Sequence, residues 1–129
     1  MHGMWGSTSH MQHVVDALKT ELHESVIHNC DVNTLMYSYQ GVDNCGYRLF
    51  DDVVNFVKKY DAEHSSPITS VSFIGYSAGG LFNRYCIGLL YKAKFFDMIK
   101  PLHYISIASP HLGTRSSPRT IAGKCMNTL

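Results

Sequence analysis

Apolar residues recur along this chain with two different periods, and the switching between them predicts its elements. Met11, Val14, Val15, Leu18 and Leu22 fall on one face at helical spacing, so residues 10–24 read as a helix. Ser9 and Gln12 are spaced as a capping box at its start. Asn33–Tyr39, entered from a polar loop around Asn29 to Asp31, reads as a strand, and Gly41–Gly46 as a turn-rich connection. A second amphipathic helix rests on Leu49, Phe50, Val53, Val54, Phe56, Val57 and Tyr60 and is closed by His64-Ser65-Ser66-Pro67. The apolar run from Ser70 to Ile74 is a short buried strand. A helix from Ala78 to Lys92 follows, with Leu81, Tyr85, Leu89 and Phe82 toward the sheet. Phe95–Pro101 reads as a loop and His103–Ser109 as the last strand. Alternating elements of this kind imply an α/β chain: a parallel sheet of about three strands, covered by helices on both faces and joined by right-handed crossovers.

Composition narrows the class. With 129 residues the chain can bury one core. Apolar residues make up 45% and charged residues 16%, which excludes a disordered chain, and a net charge of +1 excludes a strong field for nucleic acid. The four cysteines (Cys30, Cys45, Cys86, Cys125) form no C-x-x-C pair and no metal spacing, so they read as reduced thiols, with Cys86 a small core residue. No signal peptide and no membrane-length apolar run is visible, so the expected location is cytoplasmic. Residues 115–129 carry Arg115, Arg119 and Lys124 among Ser, Thr and Pro without an acid, and are expected to be a loosely ordered tail.

Chemistry concentrates in three short segments. In Gly75-Tyr76-Ser77-Ala78-Gly79 a strand breaks at glycine, presents one serine and passes at once into a helix. That is the nucleophile-elbow pattern, in which side chains at Gly75 or Gly79 would crowd the strand or helix and the Ser77 hydroxyl is exposed at the sheet edge. His2-Gly3-Met4-Trp5-Gly6 has the His-Gly-x-x-Gly form of an oxyanion loop. Ser109-Pro110-His111-Leu112-Gly113 follows the last strand. Competing readings of the glycine turn fail. A dinucleotide loop needs glycine where Ser77 stands and an acid after the next strand, which ends Ala108-Ser109; a P-loop needs Gly-Lys-Ser or Gly-Lys-Thr.

With these three segments the chain resembles the serine esterase/lipase family of α/β-hydrolases, the fungal lipase-like proteins among them, over roughly residues 2–114. It departs at Tyr76 and Ala78, where members usually carry His and Leu. The resemblance implies Ser77 as nucleophile, the backbone N–H groups of Met4 and Ala78 as oxyanion hole, and Gly3, Gly75 and Gly79 as the glycines of loop and elbow. It also implies a lipid ester as substrate, no metal or other cofactor, and contact with membranes or lipid droplets that is at most peripheral. Residues 1–114 then form a partial α/β-hydrolase domain, since the resembled family carries further strands and supplies its acid and histidine beyond the third segment. Met4 and Trp5 could line an acyl pocket or simply pack.

The acid and base are not evident within the chain. After Ser77 the acid is Asp97, and the histidines are His103 and His111. Asp97 and His103 fall at the sheet edge opposite Ser77, because a helix of fifteen residues carries the chain back by about 20 Å. His111 emerges at the correct edge and is expected to brace its loop by hydrogen bonds. Arg84, two helical turns after Ser77, is either exposed or a partner for a carboxylate outside these residues. His2 is expected to brace its own loop. His10 and His13 are three apart but lack a third ligand, so a solvated helix face is expected there. A non-catalytic protein that keeps the elbow without acid and base is the competing reading.

Overall fold

The computed structural model describes residues 1–114, so the tail expected over residues 115–129 lies outside the described residues. Helix α1 spans Gln12–Glu21 and buries Val15, with Met11 buried at its entry; Val14 and Leu18 are half-buried and Leu22 is exposed. Helical backbone begins two residues earlier than the sequence suggests, while the α-helix proper begins two residues later, at Gln12. A 3-10 turn, Thr8–Met11, leads into α1, and Ser7, not Ser9, heads it, its N–H donating to His10 Nδ1 at 3.4 Å.

Helix α2 runs Val42–Glu63, so the expected turn over Gly41–Gly46 is instead its first turn. Gly46 accounts for the difference. A Cβ there would lie within 3 Å of three side-chain atoms of Tyr85, so this glycine marks close approach of two helices rather than a bend. Strand β1 (Ser70–Tyr76) leads through Ser77 into helix α3 (Ala78–Lys92); a short 3-10 turn, Phe95–Asp97, precedes strand β2 (Lys100–Ile107). The loop expected up to Pro101 is therefore already strand at Lys100. On α3 the buried side is Phe82, Asn83, Cys86 and Leu90, one position round from the expected face, with Leu81, Tyr85 and Leu89 half-buried. Leu49, Val57, Phe73, Phe82, Leu90 and Phe95 form the centre of the core. Cys86 lies wholly within it, where burial pushes its thiol up to about 12.

β1 and β2 pair in parallel, with Phe73 beside Tyr104 and Gly75 beside Ser106 on the face covered by α3. The Tyr104 hydroxyl donates to the Gly80 carbonyl of α3 at 2.9 Å. The opposite face carries Tyr76, Ile105 and Ile107, all exposed, so the expected covering of both faces is not found among the described residues. No described helix is long and apolar enough to cross a membrane.

The third expected strand, Asn33–Tyr39, is a turn followed by a 3-10 helix, Leu35–Tyr39. An apolar and aromatic run becomes a strand only where a neighbour offers a ladder. Here Leu35 takes φ 50° and its N–H is claimed by the Gly6 carbonyl at 3.0 Å, which turns the backbone away from a sheet and leaves Leu35, Met36 and Tyr37 exposed. Buried Asn33 and Arg48 hold the segment down. Asn33 Nδ2 donates to the Cys45 carbonyl at 2.9 Å, and Arg48 Nε donates to Asn33 Oδ1 at 2.8 Å. Arg48 also donates to the Tyr37 carbonyl at 2.7 Å and to Gln40 Oε1 at 2.6 Å. Asn33→Leu leaves a carbonyl and a guanidinium N–H short of partners and should cost about 1–3 kcal/mol in urea unfolding. A loss under half a kcal/mol would show that this network contributes little.

Candidate active site

Ser77 occupies the single residue between β1 and α3, with φ 53° and ψ −127°. For a residue with a side chain this region costs about 1–3 kcal/mol, and the surroundings impose it. The Ser77 N–H donates to the Ile107 carbonyl at 2.8 Å, and its own carbonyl accepts from the Gly80 N–H at 3.1 Å. The hinge is thus tied to β2 on one side and to the first turn of α3 on the other. Strand and helix then fold back so tightly that a Cβ on Gly75 would lie 2.6–2.7 Å from backbone atoms of Gly79 and Gly80.

The opening residues close over this hinge. The Met1 nitrogen donates to the Ile74 carbonyl at 2.8 Å, and the Tyr76 N–H donates to the Met1 carbonyl at 3.1 Å. These bonds form one parallel rung along the edge of β1 away from β2. A Cβ on Gly79 would run into the carbonyl oxygens of Met1 and His2, so the absence of a side chain there is what lets residues 1–3 lie on α3. At Gly3 a Cβ would stand 2.7 Å from Ser77 Cβ and 3.2 Å from Ser77 Oγ. The Ser77 hydroxyl therefore faces the loop that begins at Gly3.

That loop is braced from a place the sequence did not advertise. The Trp5 N–H donates to Ser38 Oγ at 2.9 Å, Ser38 Oγ donates to the Leu35 carbonyl at 2.6 Å, and the Trp5 ring meets Tyr39 edge-on at 4.9 Å. Trp5 itself has φ 55°. The segment expected to be a strand is thus the buttress of the loop opposite Ser77. Met4 is half-buried against the core, while Trp5 is exposed beside Tyr39.

His2 is wholly buried, its Nδ1–H donating to the Gly3 carbonyl at 3.0 Å while Nε2 has no partner among the described residues. A second proton would have to sit on that buried, unpartnered nitrogen. Burial is the leading reason that His2 titrates below its ordinary value. The unfolded chain then binds more protons than the folded one over the interval from the depressed value up to about 6.5. Stability should be full above that interval and fall as pH drops through it. His2→Asn should flatten this slope in urea midpoints taken from pH 7.5 to pH 5.5; an unchanged slope would remove His2 as its source.

Comparison with known proteins shows the family. The family model described as "Putative serine esterase (DUF676)" matches residues 1–127. The chain belongs to this family. Among its relatives is a Saccharomyces cerevisiae protein named "Putative lipase ROG1", 30% identical over 105 residues, which are 80% of this chain and 14% of that protein. Another from the same yeast, "Putative lipase YDL109C", is 26% identical over 123 residues, 87% of this chain and 18% of that protein. The chain therefore spans less than a fifth of the length of either of these curated relatives. No solved structure matches the chain significantly.

Within this serine esterase domain the remaining polar candidates stand apart from Ser77. His103 pairs with Ser72 in the register of β1 and β2, four rungs below Tyr76, or about 13 Å at the rise of a strand. Its nearest polar partner is Ser72 Oγ at 3.5 Å. Asp97 is exposed on the 3-10 turn before β2. His111 does lie at the Ser77 end of the sheet, but both ring nitrogens are taken. Arg84 donates to Nδ1 at 3.1 Å, so Nε2 carries the proton and donates to Ser106 Oγ at 2.9 Å. The alternative of a distant carboxylate partner is unnecessary for Arg84, which pins this loop to α3.

Proposed function

We propose that Ser77 is the nucleophile of an ester-hydrolysing site in which the N–H groups of Met4 and Ala78 receive the oxyanion. The carrying observation is the positive-φ serine at the strand-to-helix hinge with its hydroxyl against Gly3. Two neighbouring donors are already committed, Trp5 N–H to Ser38 and Ser77 N–H to Ile107. The Ala78 N–H opens α3, where no intrahelical acceptor exists, and no acceptor for the Met4 N–H is found among the described residues. Each such donor contributes roughly 3–4 kcal/mol to a tetrahedral intermediate.

In the reaction the Ser77 oxygen attacks the ester carbonyl as a base removes its proton. The carbonyl oxygen gains negative charge under the two N–H groups, and the alcohol leaves with a proton returned to it; water then releases the acid by the same route. The names of the yeast relatives point to lipid esters, and such a substrate would bring the chain to a membrane or droplet surface. The described residues provide nucleophile and oxyanion donors, while acid and base have to come from elsewhere. A second reading, a non-catalytic interaction protein, is favoured by the engagement of His111 with Arg84 and Ser106.

Labelling with a fluorophosphonate, followed by peptide mapping, tests the proposal. The slow adduct expected should sit on Ser77 and vanish in Ser77→Ala. An adduct elsewhere, or none after prolonged exposure, would favour the interaction protein.

A further inference from the structure

On the far side of α2 three ligand-type side chains converge without any role in the ester site. His28 and Cys30 project from the irregular loop after α1, and Asp52 from α2; one donor atom from each lies within 4.8 Å of the other two. We propose that His28, Cys30 and Asp52 form a zinc site that fastens the loop to α2.

The donor chemistry favours this ion. An imidazole nitrogen, a thiolate and a carboxylate suit Zn2+, whose tetrahedral ligands stand roughly 3.5 Å apart, so the wider pairs of this cluster would close in and the 2.6 Å His28–Asp52 pair would open. Three protein ligands leave a fourth position for water. The site also has an approach. A groove of about 640 Å3 is bordered by His28 and Asp52, while Cys30 is buried behind them. The rings of His28 and Phe56 stack with centroids 4.2 Å apart, which orients the imidazole.

Asp52 already gathers the other two ligands. His28 Nε2 meets Asp52 Oδ2 at 2.6 Å, and the Cys30 thiol shares the same carboxylate. Among the described residues no lysine or arginine holds that carboxylate, although Arg48 and Lys59 border the groove. Arg48 is spent on Asn33, Gln40 and the Tyr37 carbonyl. Burial, followed by the Asp52 hydrogen bond and charge, pushes the Cys30 thiol up, so without metal it keeps its proton. Burial would also raise Asp52, but hydrogen bonds from His28 and Cys30 outweigh it and hold the carboxyl low. Zinc binding forms Zn–S, Zn–N and Zn–O bonds; the Cys30 proton goes to solvent, and the proton that His28 Nε2 gives to Asp52 is displaced to Nδ1 as that hydrogen bond breaks.

Titration of the chelator-treated chain with Co2+, then Zn2+, tests the site. One equivalent of Co2+ should give intense tetrahedral visible bands and a thiolate-to-cobalt band in the near ultraviolet, both bleached by Zn2+. Cys30→Ser should lose the thiolate band, and Asp52→Asn and His28→Ala should weaken binding at least about tenfold, since even outer partners of metal ligands are worth that much. Absence of the thiolate band, or its persistence in Cys30→Ser, overturns the proposal. Because Cys30 is buried, circular dichroism must show its variant folded. If it is not, His28→Ala decides: its side chain is 32% exposed and its loss is tolerable, so undiminished cobalt affinity there overturns the site.

Discussion

Gly79→Ala should cost about 3 kcal/mol or more of folding stability, at or above the upper end of what overpacking usually exacts. The new methyl group would meet the carbonyl oxygens of Met1 and His2, which are backbone and cannot rotate aside. Moving Met1 breaks its acceptance from the Tyr76 N–H, and moving His2 disturbs a buried ring. The opening segment must therefore lift off α3, taking Gly3 away from Ser77. Gly88→Ala is the matched control in the same helix. Nothing lies within 4 Å of its Cβ position, so helix propensity alone should stabilise it by about 0.5–1 kcal/mol. Urea midpoints of the two variants should move in opposite directions. A Gly79→Ala protein within half a kcal/mol of the parent would mean that residues 1–3 are not seated as described.

The second large effect is kinetic. Where a complete triad loses its nucleophile or its base, turnover falls by about 10⁶-fold, and the remaining 10³–10⁴-fold over water comes from the oxyanion hole and binding. The described residues place Ser77 in that residual regime, so short p-nitrophenyl esters should turn over hardly above background. Ser77→Ala should remove whatever Ser77-dependent rate exists. His111→Ala should leave that rate unchanged, because its Nδ1 accepts from Arg84 and its Nε2–H is given to Ser106. Fast turnover that His111→Ala abolishes would show that this loop rearranges to deliver an imidazole to Ser77. Fast turnover insensitive to His111 would send the search to another histidine or to a partner chain.

What the sequence determined by itself is the local chemistry. Gly75, Ser77 and Gly79 lie within five residues, and the hinge they form is decided by sterics between adjacent backbone segments. The helix beginning at Ala78 was equally legible, since its apolar residues repeat with the period of one element. Tertiary structure decided whatever required knowing a distant neighbour. Asn33–Tyr39 has the apolar and aromatic content of a strand, yet its backbone is recruited by Gly6 and Arg48, and it becomes the support of the Trp5 loop. Gly46 resembles a turn residue until Tyr85 is seen against it. His111 follows Ser77 in the expected order of a base, and only its contacts with Arg84 and Ser106 show both nitrogens occupied. His28, Cys30 and Asp52 carry no motif spacing, because the carboxylate reaches the pair across a loop closure rather than along one element. Short-range sterics leave a signature in adjacent letters; the choice of hydrogen-bond partner across the fold leaves none, because many distant residues could fill it and packing selects one.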